Sequence, residues 1–130
     1  MVVDTSVILA IVLEEAEAAT FIELILKSDG VAISAGSVME LAAVSTRRFG
    51  GALDARIDFL LADLPLSVAP VTSSQAIFGR EAYRRYGLRT GHPAKLNFGD
   101  CFSYALAKES GEPLLFKGDD FSHTDVTCAA

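Results

Sequence analysis

The first eleven residues, MVVDTSVILAI (Met1–Ile11), run from a short apolar stretch through an aspartate and two hydroxyl residues into a second apolar stretch. Met1–Val3 reads as a buried strand that ends at Asp4. Thr5 or Ser6 can cap a helix that continues through Leu13 and stops before Glu14 and Glu15. A strand followed at once by a capped helix is the opening of a βα unit, and the same order recurs along the chain. Ala16–Lys27 carries Phe21, Leu24 and Ile25 at helical spacing and breaks near Asp29-Gly30. Val31–Ala35 is a strand, Ser37–Arg48 a helix closed by Gly50-Gly51, and Leu53, Ile57, Leu60, Leu61 and Leu64 stripe a further helix that ends before Pro65.

Leu66–Val71 reads as the next strand, and Thr72 or Ser73 caps a helix through Tyr86. Gly87–Phe98, with two glycines and a proline, is the longest loop; Asn97 can cap a helix from about Phe98 to Glu109. Pro113–Lys117 is a short strand after the Gly111 break, and Asp125–Cys128 adds a small edge strand. Short apolar strands alternating with helices predict an α/β fold: a mostly parallel sheet of four or five short strands, helices on both faces, three α/β/α layers. No linker or repeat interrupts the pattern, so residues 1–130 are expected to form a single domain.

Composition agrees with a packed core. The chain has 130 residues, 51% of them hydrophobic, with only four Pro and ten Gly, which excludes a disordered segment. Two cysteines make no disulfide framework, no basic flank precedes the opening apolar run, and Val7–Leu13 is too short to span a bilayer. A cytoplasmic location without membrane contact is expected. The net charge of -6 argues at first against a nucleic-acid partner. Placement alters that: Arg47–Lys95 holds eight of the eleven basic residues against four acidic ones, a local +4, and the remainder carries -10. The basic stretch is either an ordinary solvated face or a phosphate-binding one.

Four carboxylate positions stand out. Asp4 follows the first strand; Glu40 interrupts the apolar stretch VMELAAV; Asp100 sits at the start of a largely apolar helix; Asp119 and Asp120 follow the LLFK strand. Each has an ordinary explanation: a cap at Asp4, a solvent-facing Glu40, a helix-dipole partner at Asp100, a polar turn at Asp119-Asp120. In a parallel sheet, however, side chains beyond the carboxyl ends of strands share one crevice, and the fold permits all four positions to meet there. Converging carboxylates repel one another unless a cation neutralises them, and oxygen-only ligands favour Mg²⁺ or Mn²⁺. Metal-assisted phosphodiester hydrolysis is the leading chemistry. His92, His123, Cys101 and Cys128 lack zinc-ligand spacing, and neither a GxxxxGK[ST] loop nor a nucleophile elbow is present.

MVVDTSVILAI, SVMELAAV with Glu40, HPAKLNFGDCFSYALAKESGEPLLFKGDDF (His92–Phe121) and the following TDV together resemble the PIN-domain family, and within it the VapC ribonuclease toxins of type II toxin–antitoxin systems. The resemblance runs from Met1 to Val126. It implies a metal-dependent endoribonuclease in which water attacks an RNA phosphodiester, leaving 5′-phosphate and 3′-hydroxyl ends. Asp4 and Asp100 would be the principal Mg²⁺ or Mn²⁺ ligands, with Glu40 coordinating metal or positioning water. The family's aspartate three positions before a phenylalanine is Gly118 here, so Asp119 is the preferred fourth acid and Asp120 the alternative. Thr5 and Ser6 would support the first turn or touch Asp4, Asp119 or bound water; Asn97 would cap or contact substrate. Arg84, Arg85, Arg89 and Lys95 would hold RNA phosphates or pair with acidic helices. The implied partners are a tRNA or rRNA of the translation apparatus, a VapB-like antitoxin that carries any operator-DNA contact, and a second copy in a homodimer. The competing classes are a Mg²⁺-dependent phosphatase or phosphotransfer protein, disfavoured because Ser6 replaces the second acid of a DxD pair, and a non-catalytic PIN-like RNA-binding module.

Overall fold

Two alternating side-chain directions in each strand divide the core. The computed structural model describes residues 1–130. Val3 and Leu115 point into one apolar cluster with Val7, Ile8, Phe21, Ile25, Ile33, Leu41 and Ile57. Their neighbours Val2 and Leu114 point into a second cluster with Ala82, Tyr86, Leu96, Tyr104, Leu106 and Phe121. The period of two along a strand therefore feeds two helical layers, one on each face of the sheet.

The elements run β1 (Val2–Val3), α1 (Thr5–Val12), α2 (Ala18–Lys27), β2 (Ala32–Ser34), α3 (Ala35–Phe49), α4 (Asp54–Asp63), β3 (Ser67–Ala69), α5 (Ser73–Tyr86), α6 (Asp100–Ser110) and β4 (Leu114–Leu115), followed by a 3₁₀ turn at Asp120–His123. The sheet order is β3-β2-β1-β4, and every pairing is parallel. The expected α/β sandwich is thus present with four strands. The chain steps outward from β1 to β3, then crosses back over α5 and α6 to place β4 on the other side of β1. That reversal opens a crevice beyond the carboxyl ends of β1 and β4, where ligands of such sheets collect. At its floor the Asp4 N–H donates to the Leu115 carbonyl at 3.0 Å.

Three local readings are corrected. The cap of α1 is Asp4 itself, whose side chain accepts from the Ser6 N–H, rather than Thr5 or Ser6. Helix α3 starts at Ala35 with Ser34 as cap, two residues earlier than the Ser37 expected from sequence, because Gly36 is tolerated inside the first turn. The tail makes one parallel bridge, Leu114 with Cys128, and not a strand over Asp125–Cys128. Elsewhere the strands are shorter than their apolar runs, since only the central residues find partners.

The close approach of α3 to α6 rests on two glycines. A Cβ at Gly36 would lie 2.3 Å from the Phe102 ring, and one at Gly99 would lie 1.0 Å from Glu40 Oε2. Both positions need a residue without a side chain so that α3 can press its Glu40 face against the start of α6.

Candidate active site

Asp4, Glu40 and Asp100 come from three different elements and meet at the β1–β4 crevice. Asp4 is 2% exposed. Its Oδ2 accepts from the Ser6 N–H at 3.0 Å and its Oδ1 from the Ser103 hydroxyl at 2.6 Å. Ser103 has a single proton, which goes to Asp4, so in its 3.2 Å contact with Ser37 it is Ser37 that donates. A buried chain Ser37–Ser103–Asp4 thereby ties α3, α6 and the end of β1 together. Both carboxylate oxygens are satisfied, which allows an ionisable group to sit in the core.

Glu40 is held on α3 by the Thr5 hydroxyl, which donates to Oε1 at 2.8 Å, while Oε2 rests against Gly99. Burial pushes its carboxyl above the ordinary value; the Thr5 bond opposes this, the Asp4 charge adds to it and the Arg47 charge counters it. Asp100 is fixed by a reciprocal cap: its Oδ2 accepts from the Asn97 N–H and Asn97 Oδ1 accepts from the Asp100 N–H, both at 2.9 Å. Its carboxyl is pushed up to about 7, first by burial and then by the charge of Asp4, with the Asn97 bond opposing and Glu40 and Asp120 adding. Three acids therefore act on Asp100, where the repulsion adds to the cost of burial.

Of the two tail aspartates, Asp120 is the one whose charge Asp100 feels. Both are exposed, at the start of the 3₁₀ turn. Asp119, the preferred fourth acid from sequence, enters the local turn through its main-chain carbonyl, which accepts from the Ser122 hydroxyl and N–H. No three His, Cys, Asp or Glu side chains are drawn together tightly enough to enclose an ion by themselves. The arrangement is an open cluster. Open clusters suit Mg²⁺, which keeps several waters and commonly takes one or two protein carboxylates plus substrate oxygens. The oxygen-only donor set and the unrelieved negative charge at Asp100 fit a divalent cation of that kind.

The supporting residues divide. Thr5 turns its hydroxyl to Glu40, whereas the Ser6 hydroxyl accepts from the Lys117 N–H at 3.0 Å and pins α1 to the end of β4. Asn97 closes the turn ahead of α6 by accepting from the Asp100 N–H, while the helix itself begins at Asp100, two residues later than expected, with Gly99 at its cap position. Arg84, Arg85, Arg89 and Lys95 are exposed, on the last turn of α5 and the loop beyond it. None of them pairs with an acid; the ion pairs of the chain involve Met1, Lys27, Lys108 and Lys117. Arg85 lies over the Tyr86 ring at 4.8 Å.

Three residues of the site escape the sequence reading. Ser103 lies three positions after Asp100, one turn along α6, and Arg47 lies seven after Glu40, two turns along the same face of α3. Those spacings were the available signals. Phe98 is the third. With Met39, Glu40, Arg47, Asn97 and Phe102 it lines a groove of about 450 Å³ that borders the acidic cluster.

The PIN-domain family model matches residues 1–126. Ribonuclease VapC42 of Mycobacterium tuberculosis is 47% identical over 126 residues, spanning 97% of this chain and 96% of its own. Ribonuclease VapC30 of the same organism is 44% identical over 131 residues, spanning 100% and 98%. Among solved structures, M. tuberculosis VapC20, described as a sarcin-ricin loop cleaving toxin, shares the fold with a TM-score of 0.75 at 21% identity, covering 97% of this chain and 95% of that one. VapBC2 of Rickettsia felis, bound to a DNA fragment from its promoter, matches with a TM-score of 0.70 at 17% identity over 98% and 94% of the two chains. With a family model over almost all its length, and relatives approaching half identity end to end, this chain belongs to the PIN-domain family and, within it, to the VapC ribonucleases.

Proposed function

We propose that the crevice beyond β1 and β4 hydrolyses RNA phosphodiester bonds with Mg²⁺ or Mn²⁺ held by Asp4 and Asp100, assisted by Glu40 and Asp120. The observation that carries this reading is the convergence of Asp4, Glu40 and Asp120 on Asp100, an excess of negative charge that only Arg47, acting on Glu40, partly offsets. A bound divalent cation supplies Lewis acidity and charge neutralisation for the phosphate and makes water a competent nucleophile at neutral pH.

The chain's own residues do the positioning. Asp4 is immobilised by Ser6 and Ser103, and Asp100 by Asn97, so both carboxylates are set before substrate arrives. Glu40 keeps Oε1 on Thr5, and no group of the protein donates to Oε2, which leaves that atom to orient attacking water and receive its proton. Burial raises the Glu40 carboxyl, the direction that makes a carboxylate a stronger proton acceptor. Asp120 takes the place in this reading that sequence spacing gives to Asp119.

The substrate class is RNA of the translation apparatus, tRNA or rRNA, with growth arrest as the outcome. The ribonuclease names of the relatives support RNA as the substrate. A VapB-type antitoxin is the neutralising partner, in keeping with a Klebsiella pneumoniae structure described as a toxin–antitoxin complex, TM-score 0.67. Operator-DNA contact belongs to that antitoxin. A homodimer, a single domain over residues 1–130 and a cytoplasmic setting complete the proposal. No helix is long and apolar enough to cross a membrane. The test is cleavage of total cellular RNA by purified wild type, Asp4→Asn and Asp100→Asn, each with Mg²⁺, Mn²⁺ or EDTA. Metal-dependent cutting that either substitution abolishes is expected. Correctly folded, antitoxin-free wild type that leaves every RNA intact would overturn the reading.

A further inference from the structure

The segment that carries Asp120 is pinned at both ends and at two points between. It leaves the sheet after β4, where the Lys117 N–H donates to the Ser6 hydroxyl at 3.0 Å. It returns to β4 where the Leu114 N–H donates to the Thr127 carbonyl at 2.8 Å. One internal pin is apolar: Phe121 is buried among Tyr86, Leu96 and Tyr104, with the Phe116 ring 5.2 Å away. The other is polar. The Asp125 carboxylate accepts from the Tyr104 hydroxyl at 2.6 Å and from Lys108 Nζ at 3.1 Å.

Tyr104 and Lys108 stand on α6, four and eight positions after Asp100, so the three side chains lie along one face of that helix. Asp120 and Asp125 follow one another along the tail. The Tyr104–Asp125 bond therefore fastens the tail to α6 one turn from the place where Asp120 acts on Asp100. The Lys108 contact is partly exposed and contributes little on its own. The Tyr104 contact differs: its donor is buried, its acceptor is charged, and such bonds are short and directional. Burial, and then the Asp125 bond, push the phenol well above its ordinary value, so it remains a donor. Ser103, the residue before Tyr104, donates to Asp4. Two adjacent residues of α6 thus address the acids on either side of Asp100, one directly and one through the tail.

Holding the tail down does not require this pair. Phe121 and the Leu114 hydrogen bonds already anchor it, and phenylalanine at 104 would fill the same place with no hydroxyl to satisfy. What the hydrogen bond adds is register, which apolar contacts define poorly. We propose that Tyr104 and Asp125 are a positioning pair that sets Asp120 opposite Asp100 and so completes the cation site from the tail side. This rests on the reading of Asp120 as the fourth acid and deepens it. Both residues act through the turn Asp120–His123, and the chemistry stays with the carboxylates.

The experiment compares antitoxin-free wild type, Tyr104→Phe, Asp125→Ala, Asp125→Asn, Asp120→Asn and the double variant Tyr104→Phe/Asp120→Asn. Asp125 is exposed, so its variants should keep the fold. Two readouts do not depend on cleavage. The first is hydrogen exchange of the metal-free protein, followed by mass spectrometry. The turn amides of Ser122 and Thr124 donate to the Asp119 and Phe121 carbonyls, and their exchange should quicken in Tyr104→Phe and Asp125→Ala while β1 and α1 keep wild-type rates. The second is Mn²⁺ affinity, from the electron paramagnetic resonance signal of the free ion. It should fall about 10-fold in both variants, the lower end of the range for losing a group that orients a metal ligand. kcat/KM at subsaturating Mn²⁺ should fall with it. Asp125→Asn keeps an oxygen for the Tyr104 hydroxyl and should recover most of the affinity. In the Asp120→Asn background, Tyr104→Phe should change affinity by less than about twofold, because the ligand it positions is already gone. Wild-type Mn²⁺ affinity in both Tyr104→Phe and Asp125→Ala would overturn the pair and leave the ribonuclease intact. So would an equal loss from Tyr104→Phe with and without Asp120→Asn, which marks general loosening of α6. An Asp120→Asn protein that binds Mn²⁺ as wild type does would leave the pair nothing to position, and it too would overturn the proposal. Wild type that binds no Mn²⁺ and cuts no RNA would remove the ribonuclease reading and the pair with it.

Discussion

Replacing Asp100 by asparagine should stabilise the metal-free protein while abolishing cleavage, and the gain should depend on pH. In the folded chain the Asp100 carboxyl is pushed up from its ordinary 3.8 to about 7, chiefly by burial and the Asp4 charge. A carboxyl raised on folding supports the native state fully below its unfolded pKa and loses that support as pH climbs through the folded value. At about 1.4 kcal/mol per unit, the ionised group opposes folding by roughly 4 kcal/mol at pH 8 and roughly 2 kcal/mol at pH 5.5. Asparagine carries no charge, and its carbonyl oxygen can still accept the Asn97 N–H. About 2 kcal/mol of the variant's advantage should therefore vanish between pH 8 and pH 5.5. The assay is urea unfolding in EDTA followed by far-ultraviolet circular dichroism, since the chain has no tryptophan. Saturating Mn²⁺ at pH 8 should raise the wild-type midpoint far more than that of Asp100→Asn, because binding to the native state adds its free energy only where the ligand remains. A stability difference between the two proteins that is the same at both pH values, or larger at pH 5.5, would refute the idea that repulsion is stored at Asp100.

Three further outcomes are expected. Gly99→Ala should displace Glu40, since the new Cβ would lie 1.0 Å from Oε2; kcat should fall about 100-fold, as for loss of a general base, with no additional loss in Gly99→Ala/Glu40→Gln. Ser103→Ala removes the 2.6 Å donor to buried Asp4 Oδ1 and should cost about 1–3 kcal/mol in denaturant unfolding, partly recovered by Asp4→Asn in the same chain. In side-by-side cleavage assays Asp120→Asn should lose more activity than Asp119→Asn; the opposite order would return the fourth position to Asp119.

The α/β arrangement was legible because each strand is a short apolar run bracketed by glycine, proline or hydroxyl residues, and each helix carries its own cap or stop. The meeting of the three acids was legible for a topological reason: Asp4 follows a strand, and Glu40 and Asp100 lie early in helices entered from the same side of a parallel sheet. What remained hidden depends on contacts across elements. Gly36 resembles a helix breaker in a linear reading, and only the Phe102 ring against it shows why glycine stands inside α3. Asp4 resembled a catalytic residue preceding a Thr/Ser cap, yet it caps α1 itself and accepts from Ser103 as well. The choice between Asp119 and Asp120 turns on the direction taken by a 3₁₀ turn, which no periodicity encodes. Phe98 and Arg47 meet in one groove only because α3 and α6 pack so closely.

The crossover that carries the chain back from β3 to the far side of β1 also sets a schedule. Asp4 and Glu40 are synthesised early, but Asp100 follows nearly the whole first face of the sandwich, and the crevice has no second wall until Leu114 and Leu115 pair with Val2 and Val3. A chain that stops short of β4 would hold fewer than the full set of acids and no floor on which to assemble them. Because domains form as their chain emerges, the crevice is completed only once β4 has joined the sheet beside β1.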